Sequence, residues 1–115
     1  MREQVAALAD QVGLGDRSLD VAVAVTELVT NALEHGAAPV SVVARWNGQL
    51  TIDVTDAGTG DDDPDAWGTV PAPDGAERGR GVWIVRQLMD TYDARRGPKG
   101  TRVRVTLRPE PGEVR

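Results

Sequence analysis

Glu27 and Asn31 stand four residues apart, with Glu34 and His35 close behind in the same run. If that run is helical, Glu27 and Asn31 project from one face and Glu34 and His35 lie a turn further along it. A carboxylate beside a neutral oxygen donor suits magnesium, which takes few protein ligands and keeps water or phosphate for the rest. The same carboxylate could accept a proton from a nucleophile. Asp56 closes an alternating apolar run and is followed by Gly58 and Gly60. Glycines let a backbone pass close to a flat ligand, and a carboxylate there can accept a bond from an exocyclic amine such as that of adenine. Gly79-Arg80-Gly81 opens an apolar segment of helical period. Amides at a helix N-terminus bind phosphate, and Arg80 can add charge. Each motif also has a plainer reading: a polar helix face, an Asp-x-Gly turn, a glycine at a helix start. Their order along one chain favours a nucleotide and its metal.

Other reactive residues point elsewhere. His35, the only histidine, falls near a helix C-terminus, where a structural or capping role is expected. Trp46 and Trp83 read as core, whereas Trp67 lies in a loop and could anchor a closed state. Asp61-Asp62-Asp63-Pro64-Asp65 lacks the alternating ligands and closing Glu of a calcium loop and reads as a solvated charge run.

The elements that must position these groups follow from apolar spacing. Val5, Leu8, Ala9 and Val12 indicate a first helix, broken by Gly13 and Gly15. A second begins near Asp16 or Ser18, either of which can cap it, and runs past Leu33 to Gly36, expected as a left-handed stop. That helix is apolar nearly all round, which predicts burial in the centre of the domain. Val40 to Trp46 and Leu50 to Asp56 alternate as strands about Asn47-Gly48, a strong hairpin signal. Asp61 to Arg78 has few apolar anchors and reads as a mobile loop. A helix over Gly81 to Asp90 follows. Strands over Tyr92 to Arg96 and Thr101 to Leu107 then turn at Gly97-Pro98-Lys99-Gly100. The expected fold is an α+β two-layer sandwich, with helices on one face of a mainly antiparallel sheet and a frayed tail from Pro109.

The 115 residues suit a single domain spanning 1–115. A net charge of -5 argues against non-specific nucleic-acid binding. Arg95, Arg96, Lys99, Arg102 and Arg104 cluster on the last hairpin, where a solvated face is expected. Without cysteine there are no disulfides or thiolate metal sites. No apolar leader or membrane-length stretch is evident, so a cytoplasmic protein with no membrane contact is expected.

Together these motifs resemble the GHKL ATPase superfamily of gyrase, chaperone, mismatch-repair and histidine kinase ATPases. Within it they are most similar to the bacterial anti-sigma factor serine kinases. Glu27-Leu-Val-Thr-Asn31-Ala-Leu-Glu-His35 matches the N box and Asp56-Ala-Gly58-Thr-Gly60 the G1 box. Gly79-Arg80-Gly81-Val-Trp-Ile-Val85 matches the G2 box, and Gly100-Thr101 the closing Gly-Thr. The resemblance covers about Val5 to Leu107. It implies a Bergerat ATP-binding fold in which Glu27 is the general base and Asn31 holds Mg2+. Asp56 would bind the adenine amine, with Thr101 assisting through water and Gly58 and Gly60 beside it. Gly79, Arg80 and Gly81 would meet the phosphates beneath an ATP lid of about 61–78. The family's usual strand ahead of the first helix has no counterpart here.

The expected function is an ATP-dependent serine/threonine protein kinase and anti-sigma regulator. Its expected partners are a sigma factor and an anti-sigma antagonist protein, with a homodimer implied. A second reading is an ATP-dependent binding module with little kinase activity. A third, a histidine kinase catalytic domain, is disfavoured because no second histidine or preceding dimerisation hairpin is present.

Overall fold

Val21, Ala24, Val25, Leu28 and Ala32 recur at helical spacing and are the buried residues of α1, Ser18–His35. The computed structural model describes residues 17–59, 64–66 and 80–108. The first expected helix, the Asp16 cap, Gly60, Asp61 to Asp63, Trp67, Gly79 and the tail lie outside the described residues. So do the expected lid, apart from 64–66, and the side chain of Arg80.

α1 buries one stripe only: Leu19 is 73% and Leu33 64% exposed. The expected all-round burial is therefore corrected, because the sheet and the second helix cover one side of it among the described residues. Ser18 is the first helical residue, and the cap position falls to Arg17, which makes no side-chain cap bond. The helix ends where Gly36 N–H donates to the Ala32 carbonyl at 3.0 Å. Gly36 has φ -103°, so it is no left-handed stop; its glycine answers to close packing instead.

Strands β1 (Ser41–Trp46) and β2 (Leu50–Asp56) form the first hairpin, with Gly48 at φ 95° in its turn. Helix α2, Arg80–Leu88, leads through Asp90, whose N–H donates to the Thr106 carbonyl, into β3 (Thr91–Gly97) and β4 (Gly100–Leu107). The four strands are antiparallel neighbours in the order β1-β2-β4-β3. Both helices lie on one face of this sheet, which is the expected two-layer architecture.

Cross-strand rows give that face its character. Leu50 pairs with Leu107; Ala44, Ile52, Val105 and Tyr92 form the next row, and Val42, Val54, Val103 and Ala94 the one after. These pack with α1, Val85 and Met89 into one core that is aliphatic apart from Tyr92 and Met89 and holds no phenylalanine. Each fully buried Val, Leu or Ile contributes roughly 1.5–3 kcal/mol, enough for such a core to hold the layers together. The fourth row differs: Asp56, Thr101 and Arg96. The sheet's inner face turns polar at one end.

Trp46 is 37% exposed at the end of edge strand β1, and Trp83 is half-buried outside the core, so neither tryptophan is the core residue expected. Residues Pro64–Ala66 form a 3-10 turn that docks on edge strand β3 instead of standing free in a loop. Tyr92 donates its hydroxyl to the Pro64 carbonyl (2.9 Å), and Ala94 N–H donates to Asp65 Oδ1 (3.1 Å). Arg86 stacks over the Tyr92 ring at 4.1 Å and donates to the Asp65 carbonyl.

The outer face of the sheet is charged. Asp53 accepts two bonds from Arg104 (2.7 and 2.9 Å) and one from Arg45 (3.3 Å). The Arg104 hydrogen bonds hold the Asp53 carboxyl below its ordinary pKa and raise that of Arg104.

Candidate functional site

Asp56 ends β2 and is 9% exposed. A buried carboxylate needs donors, and the chain supplies them from its own backbone. Gly58 N–H donates to Oδ1 at 2.6 Å, closing the Asp-x-Gly turn, and Ala37 N–H, just past the end of α1, approaches the same oxygen at 3.4 Å. Oδ2 receives no hydrogen bond among the described residues. One oxygen holds the loop; the other remains an acceptor.

The backbone closes tightly around this carboxylate. A Cβ on Gly36 would stand 2.5 Å from Asp56 Cγ, and one on Gly58 would stand 2.7 Å from Oδ1 and 3.0 Å from the Gly36 Cα. Gly100 adopts φ 131°, open to glycine, and any Cβ there would strike the Asp56 carbonyl. Three backbone segments therefore meet at Asp56, each carrying a glycine at the contact. Thr101, 3% exposed, donates its hydroxyl to the Gly58 carbonyl (2.8 Å) and accepts from Arg96 Nε (2.7 Å). With its single hydrogen committed, Thr101 can only accept from a further group. A cleft of about 430 Å³ wraps this end of the sheet, lined by Asp56, Thr101 and Arg96 of the inner face, by Thr55, Arg102 and Arg95 of the outer face, and by the turn at Gly97, Lys99 and Gly100.

The second part of the site joins the helices. Glu27 is half-buried on α1, and its carboxylate lies against Gly81 in the first turn of α2, so that a Cβ on Gly81 would collide with Oε2. Asn31 is half-buried between Glu27 and the Asp56 end, and makes no side-chain hydrogen bond among the described residues. From Glu27 to Gly36 the chain rises about 13 Å at roughly 1.5 Å per residue, a length that an extended nucleoside triphosphate can bridge. Glu34 is exposed and stands 3.9 Å from His35 Nε2, which places that pair at the end of α1. Among the described residues no group of three or more His, Cys, Asp or Glu converges as a metal site. One carboxylate and one amide oxygen on a helix face fit magnesium, whose remaining ligands are phosphate and water.

The family model described as a histidine kinase-like ATPase domain matches residues 1–107. This chain belongs to that family. Among solved structures it is similar to the histidine kinase domain of the Erythrobacter litoralis EL346 blue-light activated histidine kinase. That likeness has a TM-score of 0.68 and 20% identity, over 97% of this chain and 61% of the other. Another structure of the Erythrobacter litoralis EL346 kinase matches with a TM-score of 0.62 and 28% identity, over 82% of this chain and 31% of that one. A mycobacterial sensor histidine kinase, MprB, gives 0.61 and 22%, over 81% and 74%. The chain thus spans less than two thirds of the first two. No curated protein matches it.

Within this histidine kinase-like ATPase domain, Asp56, Gly58 and Thr101 meet at one end of the sheet, and Glu27 meets Gly81 between the helices. Sequence reasoning missed Arg96 and misassigned Gly36. Period-2 alternation held the signal for Arg96: on β3 it shares a face with Tyr92 and Ala94, whereas Arg95, Arg102 and Arg104 lie on the other. No helical or turn pattern distinguishes a glycine needed for packing from one needed for its φ.

Proposed function

We propose that this domain binds ATP with magnesium and transfers its γ-phosphoryl group to a serine or threonine of a partner protein, as an anti-sigma regulatory kinase. The observation that carries nucleotide binding is the buried Asp56 carboxylate, with Oδ1 tied to backbone amides and Oδ2 left as an acceptor. The 6-amino group of adenine is a complementary donor, where guanine presents a keto oxygen at the same ring position. Gly58, Gly60 and Thr101 flank the base in this reading, while Gly79, Arg80 and Gly81 meet the phosphates at the start of α2. Asn31 would hold the magnesium, which neutralises phosphate charge when bound. Glu27 would accept the proton of the attacking hydroxyl. The partners would be a sigma factor and its antagonist protein, engaged by a homodimer. Serine or threonine as acceptor rests on the N box pattern from Glu27 to His35, which resembles that of the anti-sigma kinases.

A second reading has its own support, since the structural neighbours named above are histidine kinases. The domain would then phosphorylate a histidine supplied by a partner protein. Incubation with [γ-32P]ATP and candidate partners separates the two, because phosphoserine and phosphothreonine survive acid whereas phosphohistidine does not. Acid-stable label on a partner is expected. Acid-labile label would establish the histidine kinase reading, and nucleotide-dependent partner binding without label would favour an ATP-dependent binding module.

A further inference from the structure

Arg96 closes the one polar row of the sheet's inner face, Asp56–Thr101–Arg96, across β2, β4 and β3. A threonine hydroxyl has one hydrogen and can rotate it toward any nearby acceptor. Nε of Arg96, 2.7 Å away, occupies a lone pair of Thr101 Oγ1 and so excludes that direction for the hydrogen. The hydrogen points to the Gly58 carbonyl, 2.8 Å away. Gly58 in turn donates its N–H to Asp56 Oδ1 at 2.6 Å. Three consecutive bonds therefore run from the β3 edge of the sheet to the carboxylate, and each fixes the orientation of the next group. Without the first, Thr101 can turn its hydrogen elsewhere, Gly58 loses its tether to β4, and the direction of Asp56 Oδ2 is no longer set.

We infer that Arg96 is a positioning residue for purine recognition, acting through Thr101 and Gly58 on Asp56 and not by touching the ligand. This inference rests on the ATP-binding reading above. It extends the control of adenine selectivity from the Gly100-Thr101 motif on β4 to β3, which carries none of the nucleotide-binding motifs.

The test compares adenosine, ATP and GTP binding by titration to the wild-type protein and to Arg96→Ala, Arg96→Lys, Thr101→Val and the Arg96→Ala/Thr101→Val double variant. Thermal unfolding confirms that each variant folds. Arg96→Ala is expected to weaken adenosine and ATP by the same factor, on the order of tenfold, and to narrow the preference for ATP over GTP. Arg96→Lys, which can still donate one bond to Thr101, should recover part of the loss. The double variant should bind no more weakly than Thr101→Val alone, because the two residues act in one series. A loss confined to ATP, with adenosine unaffected, would mean that Arg96 contacts phosphate and would overturn the inference. So would unchanged binding by Arg96→Ala, or losses that add in the double variant. Failure of the wild-type protein to bind any adenine compound would instead overturn the ATP reading itself.

Discussion

Asp56 and Glu27 are both carboxylates near glycines, yet their surroundings differ. Asp56 is buried and held by backbone amides, whereas Glu27 lies along α1 with a long side chain against Gly81. Glu27→Ala is expected to leave ATP affinity within a few-fold of wild type while phosphoryl transfer falls by roughly 10²–10⁴-fold, the usual worth of a general base. Equal loss of both, measured by titration and by single-turnover transfer, would make Glu27 a binding residue. Asn31→Ala should weaken ATP only when magnesium is present, which titrations with and without chelator would check. The Asp56 turn was legible because a side chain two residues before a glycine either closes an Asx turn or does not, and both partners are local. Arg96 was not, because the bond that gives it meaning joins strands and depends on register. Gly36 was read as a stop from local helix rules. Its contact with Asp56 comes from residues twenty positions away.

The helices were expected as apolar elements, and their exposed sides show how far that reasoning carries. Of the apolar run Val21 to Val25 only Val21, Ala24 and Val25 fall in the buried stripe of α1, and the same composition continues onto Leu19 and Leu33, which remain exposed among the described residues. Composition registers how apolar a helix is; only packing decides which stripe is covered. The contact of α1 with α2 gives a test at this scale. Gly81→Ala would drive a Cβ into the end of the Glu27 side chain, which is flexible and can swing away. Alanine is also a better helix former than glycine by about 1 kcal/mol. The variant should therefore melt no lower than wild type, and transfer phosphate at least tenfold more slowly, because Glu27 has moved. A lower melting temperature with normal transfer would contradict the placement of Glu27. Gly36→Ala should behave in the opposite way. Its Cβ meets the Asp56 carboxyl group and the Ala32 carbonyl, neither of which can retreat, so folding should be destabilised by roughly 1–3 kcal/mol.

Across the whole sheet the two faces differ in character. The inner face runs from aliphatic rows to the polar row at the candidate site, while the outer face carries Asp53 between Arg45 and Arg104. Because the Arg104 hydrogen bonds depress the Asp53 pKa, the unfolded chain binds more protons than the folded one in the acid range, and stability rises with pH there. The contribution is complete above the ordinary carboxylate pKa and is lost as pH falls through the depressed folded value. Asp53→Asn should lower the melting temperature by a few degrees near neutrality and flatten its acid dependence, with ATP binding unchanged. A thermal melt series from pH 7 to pH 3 would show this. The layered architecture was legible from alternating strands and paired turn signals, whereas the exposure of Trp46 was not, since edge position is a property of the assembled sheet. In the proposed ATP site Asp56 Oδ2 is the acceptor for the adenine amine. Calorimetric titration of wild type and Asp56→Asn with ATP and magnesium tests this most directly. Asparagine can keep its oxygen on the Gly58 amide and present its NH2 group to the base, so donor would meet donor. The expected result is an Asp56→Asn protein that melts close to wild type but binds ATP roughly 10–100-fold more weakly. Equal affinity in the two proteins would contradict the account.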